Sequence, residues 1–389
     1  MKRSSLLLAI LVLAARTAAA STVDIHRISL GFMAETAELI AVGEVGAIEP
    51  DGADRTLIEF RIVEQLKGPQ SQPATVSVVH YTSHGPDLEV GGRALFFVSP
   101  LPEEAGPDRH FLVSGPFGAV RLTEENEAAQ LDYVRAHLRL RSDDATPADL
   151  VLHLATACAS ATDKVRLSAA LDFVRLEASG LAPISEAQVA VIARGFETSE
   201  WNKKPKWALA RALGETRSEA AVAPLAAAVL TGKSRPIRAV VGEALCRIGV
   251  ASAVSLLRPG LAVPDAGVRA DVANVLGCTG LASAATLLIE ALSDAESEVR
   301  VEAALGLGEV ARAVRAKEGR TLDLHEALGN ALSRAKTMDE TKALLWTAAQ
   351  LDTQNGYDLV RTARGSEDPD VRKFAARVLS NPRRRIVLR

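Results

Sequence analysis

The stretch Asp294–Gly308, with the sequence DAESEVRVEAALGLG, decides the fold of this chain. It opens with acidic and small residues, continues through Val299-Arg300, and ends on Leu-Gly. The apolar residues in between recur three or four positions apart, which is the spacing of one face of an amphipathic helix. We therefore expect a turn that leads into a helix with Arg300 near its start.

The same pattern returns along the C-terminal part of the chain. In each copy a basic residue stands seven positions before a leucine that is followed by a small residue, and these basic residues are Lys206, Arg238, Arg269, Arg300 and Arg372. The first four are 32, 31 and 31 positions apart. A fixed period of this length is typical of a solenoid of stacked helix pairs.

This Val-Arg signature followed by Ala-x-x-Leu-Gly resembles the HEAT-like repeats of the phycobilisome-lyase type. The resemblance implies an α-α superhelical solenoid of the ARM/HEAT type, which we place at residues 148–389 as about seven helix pairs after a linker at 141–147. It does not imply an activity, because one repeat fold serves many functions. Bilin lyases with such repeats act inside the cell, and HEAT-type deoxyhypusine hydroxylases hold iron with several His-Glu pairs. This chain has one such pair, His325-Glu326, which argues against the hydroxylase, and the signal-peptide pattern of residues 1–20 argues against the lyase, so we expect neither activity.

The repeat pattern also predicts where the helices begin. The first helices of the pairs should start near Pro147, Ser185, Ser218, Ala251, Ala282, Leu322 and Tyr357. The second helices should start near Thr162, Lys204, Ser234, Asp265, Glu296, Asp339 and Asp368. Side chains that can accept hydrogen bonds from the free amides of the next helix are those of Ser234, Asp265, Asp294 and Asp368.

Residues 21–140 follow a different pattern. Short runs such as Thr56–Gly68 alternate apolar and polar residues, and Gly-Pro turn signals separate them. This pattern predicts five or six antiparallel strands. So many short strands in about 100 residues suit a small barrel or a sandwich. An amphipathic helix at Glu124–Leu140, with Leu131, Val134 and Leu138 on its apolar face, closes this β-rich domain.

Three segments of this domain resemble the netrin-like, inhibitor-type OB barrels. They are AELIAVGEV at 37–45, LKG at 66–68 and VGGRALFFV at 90–98. The resemblance implies a barrel. The inhibitors of that class bind a protease zinc ion through an N-terminal cysteine, and residues 21–140 contain no cysteine. The inhibitory mechanism therefore does not carry over.

Residues 1–20 have the zones of a secretory signal peptide. Lys2 and Arg3 precede the apolar run Leu6–Ala15, which is too short to span a bilayer, and Ala18–Ala20 offers a cleavage site. The alternative is an uncleaved anchor helix, against which Arg16 argues. We expect cleavage, an extracytoplasmic (periplasmic or secreted) location, and no membrane insertion once the signal is removed.

Cysteines and charge narrow the class of protein further. Cys246 and Cys278 occupy nearly equivalent positions in neighbouring repeats; the sequence favours simple packing for both and leaves a disulfide open. Cys158 is the third cysteine.

The net charge is −9 over residues 21–140 and +3 over residues 141–389. This distribution is unlike the clustered basic face of a nucleic-acid-binding protein.

The repeated basic residues Lys206, Arg238, Arg269, Arg300 and Arg372 allow two interpretations. They could form a stripe that binds anions. We favour a structural role, because an arginine has five donors that can bridge the acids and carbonyls of adjacent turns.

The exposed side of the second helices is the candidate partner-binding surface, since in HEAT-type arrays these helices line the concave face. The residues predicted there are Arg211, Glu243, Asp271, Asn274, Glu302, Lys373 and Arg377. An ordinary solvated face is the alternative. Their mixed charge suits a protein or peptide partner better than a polyanion.

Motifs for catalysis are lacking in the sequence. It contains no Gly-x-Ser-x-Gly, no His-Glu-x-x-His, no phosphate loop and no dinucleotide-binding turn. His80 and His84, with Asp87 or His110, could ligate a metal, although solvated side chains are the interpretation that we favour. We expect an exported, non-enzymatic scaffold or adaptor without a cofactor that binds a protein partner. The alternatives are a metal-dependent or enzymatic activity, or protease-inhibitor-like binding, in the front domain.

Overall fold

The structure, a computed structural model, describes residues 28–51, 55–69, 74–81, 87–101, 109–141, 145–177, 183–201 and 203–380. The predicted signal peptide at 1–20 lies outside these residues. The chain divides into two compact units, Met1–Phe196 and Glu197–Arg389.

The first unit contains a small β-barrel. Its strands are β1 (Leu39–Pro50), β2 (Arg55–Lys67), β3 (Thr75–Tyr81), β4 (Arg93–Pro100), β5 (Arg109–Leu112) and β6 (Ala119–Arg121). The strands are hydrogen-bonded in the order β1-β2-β3-β5-β4, and β1 also pairs with β4, so five strands close on themselves. β6 extends the sheet from β4. The barrel alternative is thus confirmed and the sandwich is wrong.

The expectation that all strands are antiparallel is also wrong, because β3 and β5 pair in parallel. The reason lies in the closure of the barrel. β1 runs antiparallel to both β2 and β4, and β5 runs antiparallel to β4. Once β5 is inserted between β4 and β3, it must therefore point in the same direction as β3.

Alternate residues of the strands fill the barrel. Phe60 of β2 stacks on Phe96 of β4 with ring centroids 3.8 Å apart, and both side chains are fully buried. Gly43 of β1 faces this pair, and a Cβ atom there would overlap the Phe60 ring. The glycine therefore leaves room for the stacked aromatic core.

The described part of the first unit also contains the α-helices α1 (Leu30–Thr36), α2 (Glu127–Leu140), α3 (Pro147–Ala157), α4 (Asp163–Glu177) and α5 (Glu186–Thr198). The division between the two units falls inside α5. α1 packs against α2 and α4. In α2 the predicted residues Leu131 and Val134 are buried, whereas Leu138 is only half-buried and His137 takes its place in the core.

The second unit is helical. After the end of α5 come α6 (Lys204–Glu215), α7 (Val222–Thr231), α8 (Arg235–Ile248), α9 (Ala251–Leu257), α10 (Ala266–Cys278), α11 (Ala284–Ala291), α12 (Ser297–Glu318), α13 (His325–Arg334), α14 (Met338–Gln350), α15 (Gln354–Ala363) and α16 (Pro369–Ser380). The helices from α3 onward begin within four residues of their predicted starts. The even-numbered helices from α6 to α16 are the second helices of the pairs, and consecutive ones pack side by side.

Small residues set how closely the second helices approach. A Cβ atom at Gly214 of α6 would lie 2.7 Å from the Cα atom of Ala244 in α8. Gly277 of α10 faces Gly306 of α12 in the same way. The glycine that follows the repeat leucine is therefore a site of close packing between repeats, where an added side chain would push the helices apart.

The predicted helix caps are correct at Asp265, whose carboxylate accepts hydrogen bonds from the amides of Gly267 and Val268. Asp368 accepts from Asp370 and Val371. Ser234 occupies the N-cap of α8 but makes no capping hydrogen bond with its side chain. Asp294 lies two residues before the N-cap Glu296 and accepts the amide hydrogen of that residue.

None of the described helices is both long enough and apolar enough to cross a bilayer.

Candidate partner-binding groove

The repeated arginines of the second unit share one contact with their own turn. Each donates a hydrogen bond from its guanidinium group to the carbonyl oxygen six residues earlier. Arg238 donates to Gly232 at 2.7 Å, Arg269 to Val263 at 2.9 Å, Arg300 to Asp294 at 2.6 Å and Arg372 to Ser366 at 2.7 Å. These carbonyls lie between the two helices of a pair, where the helical hydrogen-bonding pattern has ended. The arginine thus fixes the turn from within its own repeat.

Three of these arginines also reach an acid of the following repeat. Arg238 donates to Asp271 at 2.7 Å, Arg269 binds both oxygens of Asp294 at 2.8 and 2.9 Å, and Arg300 donates to Glu340 at 2.5 Å. We call these contacts the arginine ladder.

The charges of the ladder shift the acidity of its carboxyl groups. Burial alone would raise the pKa of Glu340, but hydrogen bonds, first from Arg300, outweigh burial and lower it from 4.5 to about 2. The pKa of Asp294 is lowered for the same reason, against burial, mainly by Arg269. Both acids are therefore ionised partners at neutral pH.

The two ends of the series differ from the middle. Lys206 is 3% exposed, and its ammonium group lies 4.7 Å from the centroid of the Trp201 ring. Arg372 is exposed, and its described hydrogen bonds go to the carbonyls of Ser366 and Glu367 in its own turn.

A groove of about 510 Å³ opens on the face formed by α8, α10 and α12. Its polar lining consists of Arg235, Arg238, Glu243, Arg247, Asp271, Asn274 and Glu302. Its apolar floor consists of Ala239, Gly242, Val275 and the two cysteines Cys246 and Cys278. Four of the seven predicted partner-binding residues, Glu243, Asp271, Asn274 and Glu302, therefore line one cavity.

The other three predicted residues lie elsewhere on the second helices. The guanidinium carbon of Arg211 lies 5.2 Å from the centroid of the Trp207 ring, and Arg211 is half-buried. Arg377 is exposed, with its guanidinium carbon 5.1 Å from the Phe374 ring centroid. Lys373 is exposed on the same helix, α16.

A disulfide between Cys246 and Cys278 crosses the floor of the groove and joins α8 to α10, with Cα atoms 5.5 Å apart. The interpretation that these cysteines simply pack is therefore wrong. Cys246 occupies the register at which Gly214 and Gly277 allow close helix approach in other repeats. The helices α8 and α10 meet one turn earlier, where Gly242 faces Val275. Cys158, in the first unit, is buried and unpaired.

The three arginines of the groove already bind carboxylates. Arg235 pairs with Glu298 and lies 3.5 Å from Asp271, and Arg247 pairs with Glu215. By contrast, Glu243 is exposed and makes no ion pair with any described residue. Glu302 accepts a hydrogen bond from the amide of Asn274 at 3.0 Å.

A second polar cluster, in the first unit, was not predicted from the sequence. It surrounds the fully buried Asp172 of α4. The carboxylate accepts hydrogen bonds from the hydroxyl groups of Ser29 at 2.6 Å and Tyr133 at 2.8 Å, and from the backbone amide of Gly31 at 3.2 Å. Arg175 donates to it at 3.3 Å. We call this set the Asp172 cluster.

Glu35 extends the Asp172 cluster at the end of α1. Arg175 binds its two carboxylate oxygens at 2.9 Å each, and a ring nitrogen of His137 lies 3.0 Å from it. Burial alone would raise the pKa of Glu35, but its bonds to His137 and Arg175 lower it to about 2. The pKa of Tyr133 is raised, first by burial and then by the charge of Asp172. These effects keep Glu35 ionised and Tyr133 neutral at neutral pH.

The candidate metal ligands do not form a metal site among the described residues. His80 is 5% exposed and lies in β3 opposite Thr56, rather than in a solvated loop. His110 lies in β5, and Asp87 precedes β4. His84 lies outside the described residues. Within the described ranges no group of three or more His, Cys, Asp or Glu side chains is placed to hold a metal ion.

Comparison with known proteins identifies the repeat region. Residues 223–308, which contain the groove helices α8 and α10 and the start of α12, match the family model described as HEAT repeats. None of the curated proteins matches the chain. Among solved structures, two engineered proteins are similar at 19% sequence identity each. The match to the first covers 68% of this chain and 76% of the engineered protein, with a TM-score of 0.33. The match to the second covers 60% of this chain and 96% of that protein, with a TM-score of 0.31. The molecule is therefore a small mixed β-barrel followed by a helical HEAT-repeat region.

Proposed function

We propose that this protein is an exported, non-enzymatic scaffold that binds a protein partner on the second helices of its HEAT-repeat region. The groove on α8, α10 and α12 carries the proposal, because it gathers four predicted partner-binding residues around one cavity. HEAT repeats offer long surfaces of this kind, whereas a compact domain of equal size does not. Glu243 and Asn274 are exposed in the groove and are free to contact a partner.

Two observations support export. The charged, apolar and small-residue zones of residues 1–20 follow the order of a signal peptide. The Cys246–Cys278 disulfide is of the kind that persists in oxidising compartments outside the cytoplasm. Mass spectrometry of the native protein should find a new N-terminus near Ser21, and an intact Met1 would contradict export.

For the front domain we propose a barrel of the netrin or inhibitor OB type. The closed order of five strands supports this class. The class explains the shape of the domain and carries no inhibitory mechanism here, because residues 21–140 hold no cysteine.

The scaffold function is tested by reversing charge at Arg211, Glu243 and Arg377 together. Exposed substitutions such as those at Glu243 and Arg377 usually change stability by only about 0.5 kcal/mol each; because Arg211 is half-buried, the melting temperature of the triple variant is measured to check that it folds. Immobilised wild-type protein would first be used to recover the partner from an envelope fraction of the source organism. We expect the triple variant to bind that partner more weakly and with an altered salt dependence.

A matched control reverses charge at Arg258, Glu290 and Arg364, which are exposed and lie outside the second helices. It makes the same exchange of two arginines and one glutamate. The control should bind as well as the wild type. Equal loss in both variants, or no loss in either, would show that the second helices do not carry recognition.

A further inference from the structure

The lining of the groove carries three arginines and three carboxylates, but these groups are not all paired with one another. Three arginines lie in it, namely Arg235, Arg238 and Arg247. Five carboxylates line it or pair with these arginines: Glu215, Glu243, Asp271, Glu298 and Glu302. Each arginine already has a carboxylate partner. The negative charge without an ion pair therefore rests on Glu243, which has no ion pair among the described residues, and on Glu302, which accepts a hydrogen bond from the Asn274 amide and attracts Arg235 without a described ion pair to it.

The backbone adds to this negative potential. α8 ends at Ile248 and α10 at Cys278, next to the disulfide in the floor of the groove. The C-terminal end of a helix carries partial negative charge, which favours cations within the last turn. The helix ends and the free carboxylates thus favour the same sign of ligand.

The apolar lining of the groove lies on the same helices as its charged residues. It consists of Ala239, Gly242, Val275 and the Cys246–Cys278 disulfide. Gly242 provides no side chain, and a Cβ atom there would lie 2.7 Å from a methyl group of Val275. A long basic side chain fits such a site, because its methylene stem covers apolar surface while its charged head reaches a carboxylate at the rim.

The positions of the two carboxylates set the spacing of the ligand. Glu243 lies on α8 and Glu302 on α12, with α10 between them. Packed helices are about 8–10 Å apart, and the hydrogen bond from Asn274 draws Glu302 towards α10, so we take the span as about 10–20 Å. An extended chain advances about 3.3 Å per residue, so this span corresponds to about three to six residues.

From these observations we infer that the groove binds an extended segment of the partner protein that carries two basic residues three to six positions apart. One of these residues pairs with Glu243 and the other with Glu302, and their stems lie over the apolar floor. The inference rests on the proposed function and adds the chemistry of the partner to it.

The test is a selection with a phage-displayed library of random dodecapeptides on the immobilised full chain. The library would be selected in parallel on the wild type and on the double variant Glu243→Gln with Glu302→Gln. These changes keep side-chain size and remove both free charges. We expect peptides enriched on the wild type alone to contain pairs of Arg or Lys three to six positions apart. A synthetic peptide of that kind should bind the double variant at least about tenfold more weakly.

A second double variant, Glu219→Gln with Glu290→Gln, is the control. Both glutamates are exposed and lie outside the groove, so it removes the same charge at a distance. It should bind the selected peptide as the wild type does. Acidic or apolar peptides, enrichment that is equal on the wild type and the Glu243/Glu302 variant, or no enrichment at all would overturn the inference. The scaffold function would still stand if the partner recovered by pull-down were lost in the Arg211/Glu243/Arg377 variant.

Discussion

The arginine ladder and the Asp172 cluster are two arrangements of charged side chains that differ in how far apart their partners lie along the chain. Both hold helices together through charged groups with little exposure. In the ladder each arginine binds its own turn and an acid 25 to 40 residues away. In the cluster one carboxylate of α4 holds Ser29 and Gly31, which are 143 and 141 residues away along the chain.

The comparison shows how stability is distributed in each unit. The loss of one arginine from the ladder leaves the other repeats with their own bonds, because each repeat contacts mainly its neighbours. The Asp172 cluster has less redundancy. Glu35 also joins α1, α2 and α4, but Ser29, Gly31 and Tyr133 donate to Asp172, and its removal leaves these three donors without that acceptor.

The largest expected effect therefore belongs to Asp172→Ala. It removes the acceptor of Ser29, Gly31 and Tyr133, and one of the two carboxylates that bind Arg175, at a fully buried position. We expect the first unit to lose about 3–5 kcal/mol of stability, as when one partner of a buried ion pair is removed. Hydrogen exchange of peptides from α2 and α4, followed by mass spectrometry, measures this loss locally.

The matched variant Tyr133→Phe removes one hydrogen bond of the same cluster and retains the ring. It should cost about 1–3 kcal/mol, because the carboxylate retains its other donors. If both variants exchanged at the wild-type rate, Asp172 would not be the point on which the cluster depends.

The sequence predicted the ladder because the repeat period displays it. An arginine that recurs at one register must meet the same turn in every repeat, so the sequence alone groups Arg238, Arg269 and Arg300. The acids that these arginines reach do not share a register, since Asp271, Asp294 and Glu340 lie 33, 25 and 40 residues after them, so the repeat period does not predict these partners. The Asp172 cluster depends on contacts with residues more than a hundred positions away, such as Ser29 and Gly31, and a sequence repeat does not predict such contacts.

One signal for the Asp172 cluster was nevertheless present. Asp172 stands six positions after Arg166, within the apolar run LSAALDFVRL of α4. Six positions after the repeated basic residues of the other second helices stand Ala212, Ala244, Val275, Gly306 and Val378. A carboxylate at a register that is otherwise small or apolar indicates a buried acid with specific partners, since an unpaired buried charge is costly.

The groove could be predicted only in part. Exposure at Glu243 and Asn274 followed from helical periodicity, but the ion pairs of Asp271 with Arg238 and Arg235 depend on how α8 and α10 pack. The sequence leaves the Cys246–Cys278 disulfide open for the same reason. A spacing of 32 residues makes Cys246 and Cys278 equivalent, whereas a bond also requires Cα atoms within about 7 Å.

The next largest effect is expected within the ladder. Arg269→Ala removes the donor to both oxygens of Asp294 and to the carbonyls of Val263 and Pro264. It should cost about 1–3 kcal/mol, since these half-buried groups lose their partner. Urea denaturation followed by tryptophan fluorescence is suitable, because Trp201, Trp207 and Trp346 all lie in the second unit.

Arg372→Ala is the control for this variant. Arg372 is exposed, and its described bonds are to carbonyls of its own turn, so the change should cost less than about 1 kcal/mol. Unchanged stability in Arg269→Ala together with weaker partner binding would show that the ladder is a binding stripe instead.

The smallest expected effect is a difference between the two units in how their stability depends on pH. His153 of α3 lies beside the Asp172 cluster, with its ring centroid 4.8 Å from that of Tyr133 and 6.1 Å from that of His137. Burial, and then the charges of His137 and Arg139, lower its pKa from 6.5 to about 4. The unfolded chain therefore binds a proton at this residue between pH 6.5 and 4, where the folded chain does not.

It follows that the first unit should begin to lose stability as the pH falls below 6.5, and that the contribution of His153 is lost by about pH 4. In the second unit Glu340, with its pKa lowered from 4.5 to about 2, contributes stability that is lost only as the pH falls through that lower range. Hydrogen exchange at pH 6.5 and 5, corrected for the intrinsic dependence of exchange on pH, should therefore show α3 and α4 opening more readily at the lower value while α10 and α12 change little. His153→Gln should abolish the difference in the first unit. An equal loss in both units, or a loss that persists in His153→Gln, would mean that another group governs the acid response, and the contrast between the local ladder and the long-range cluster would not extend to pH.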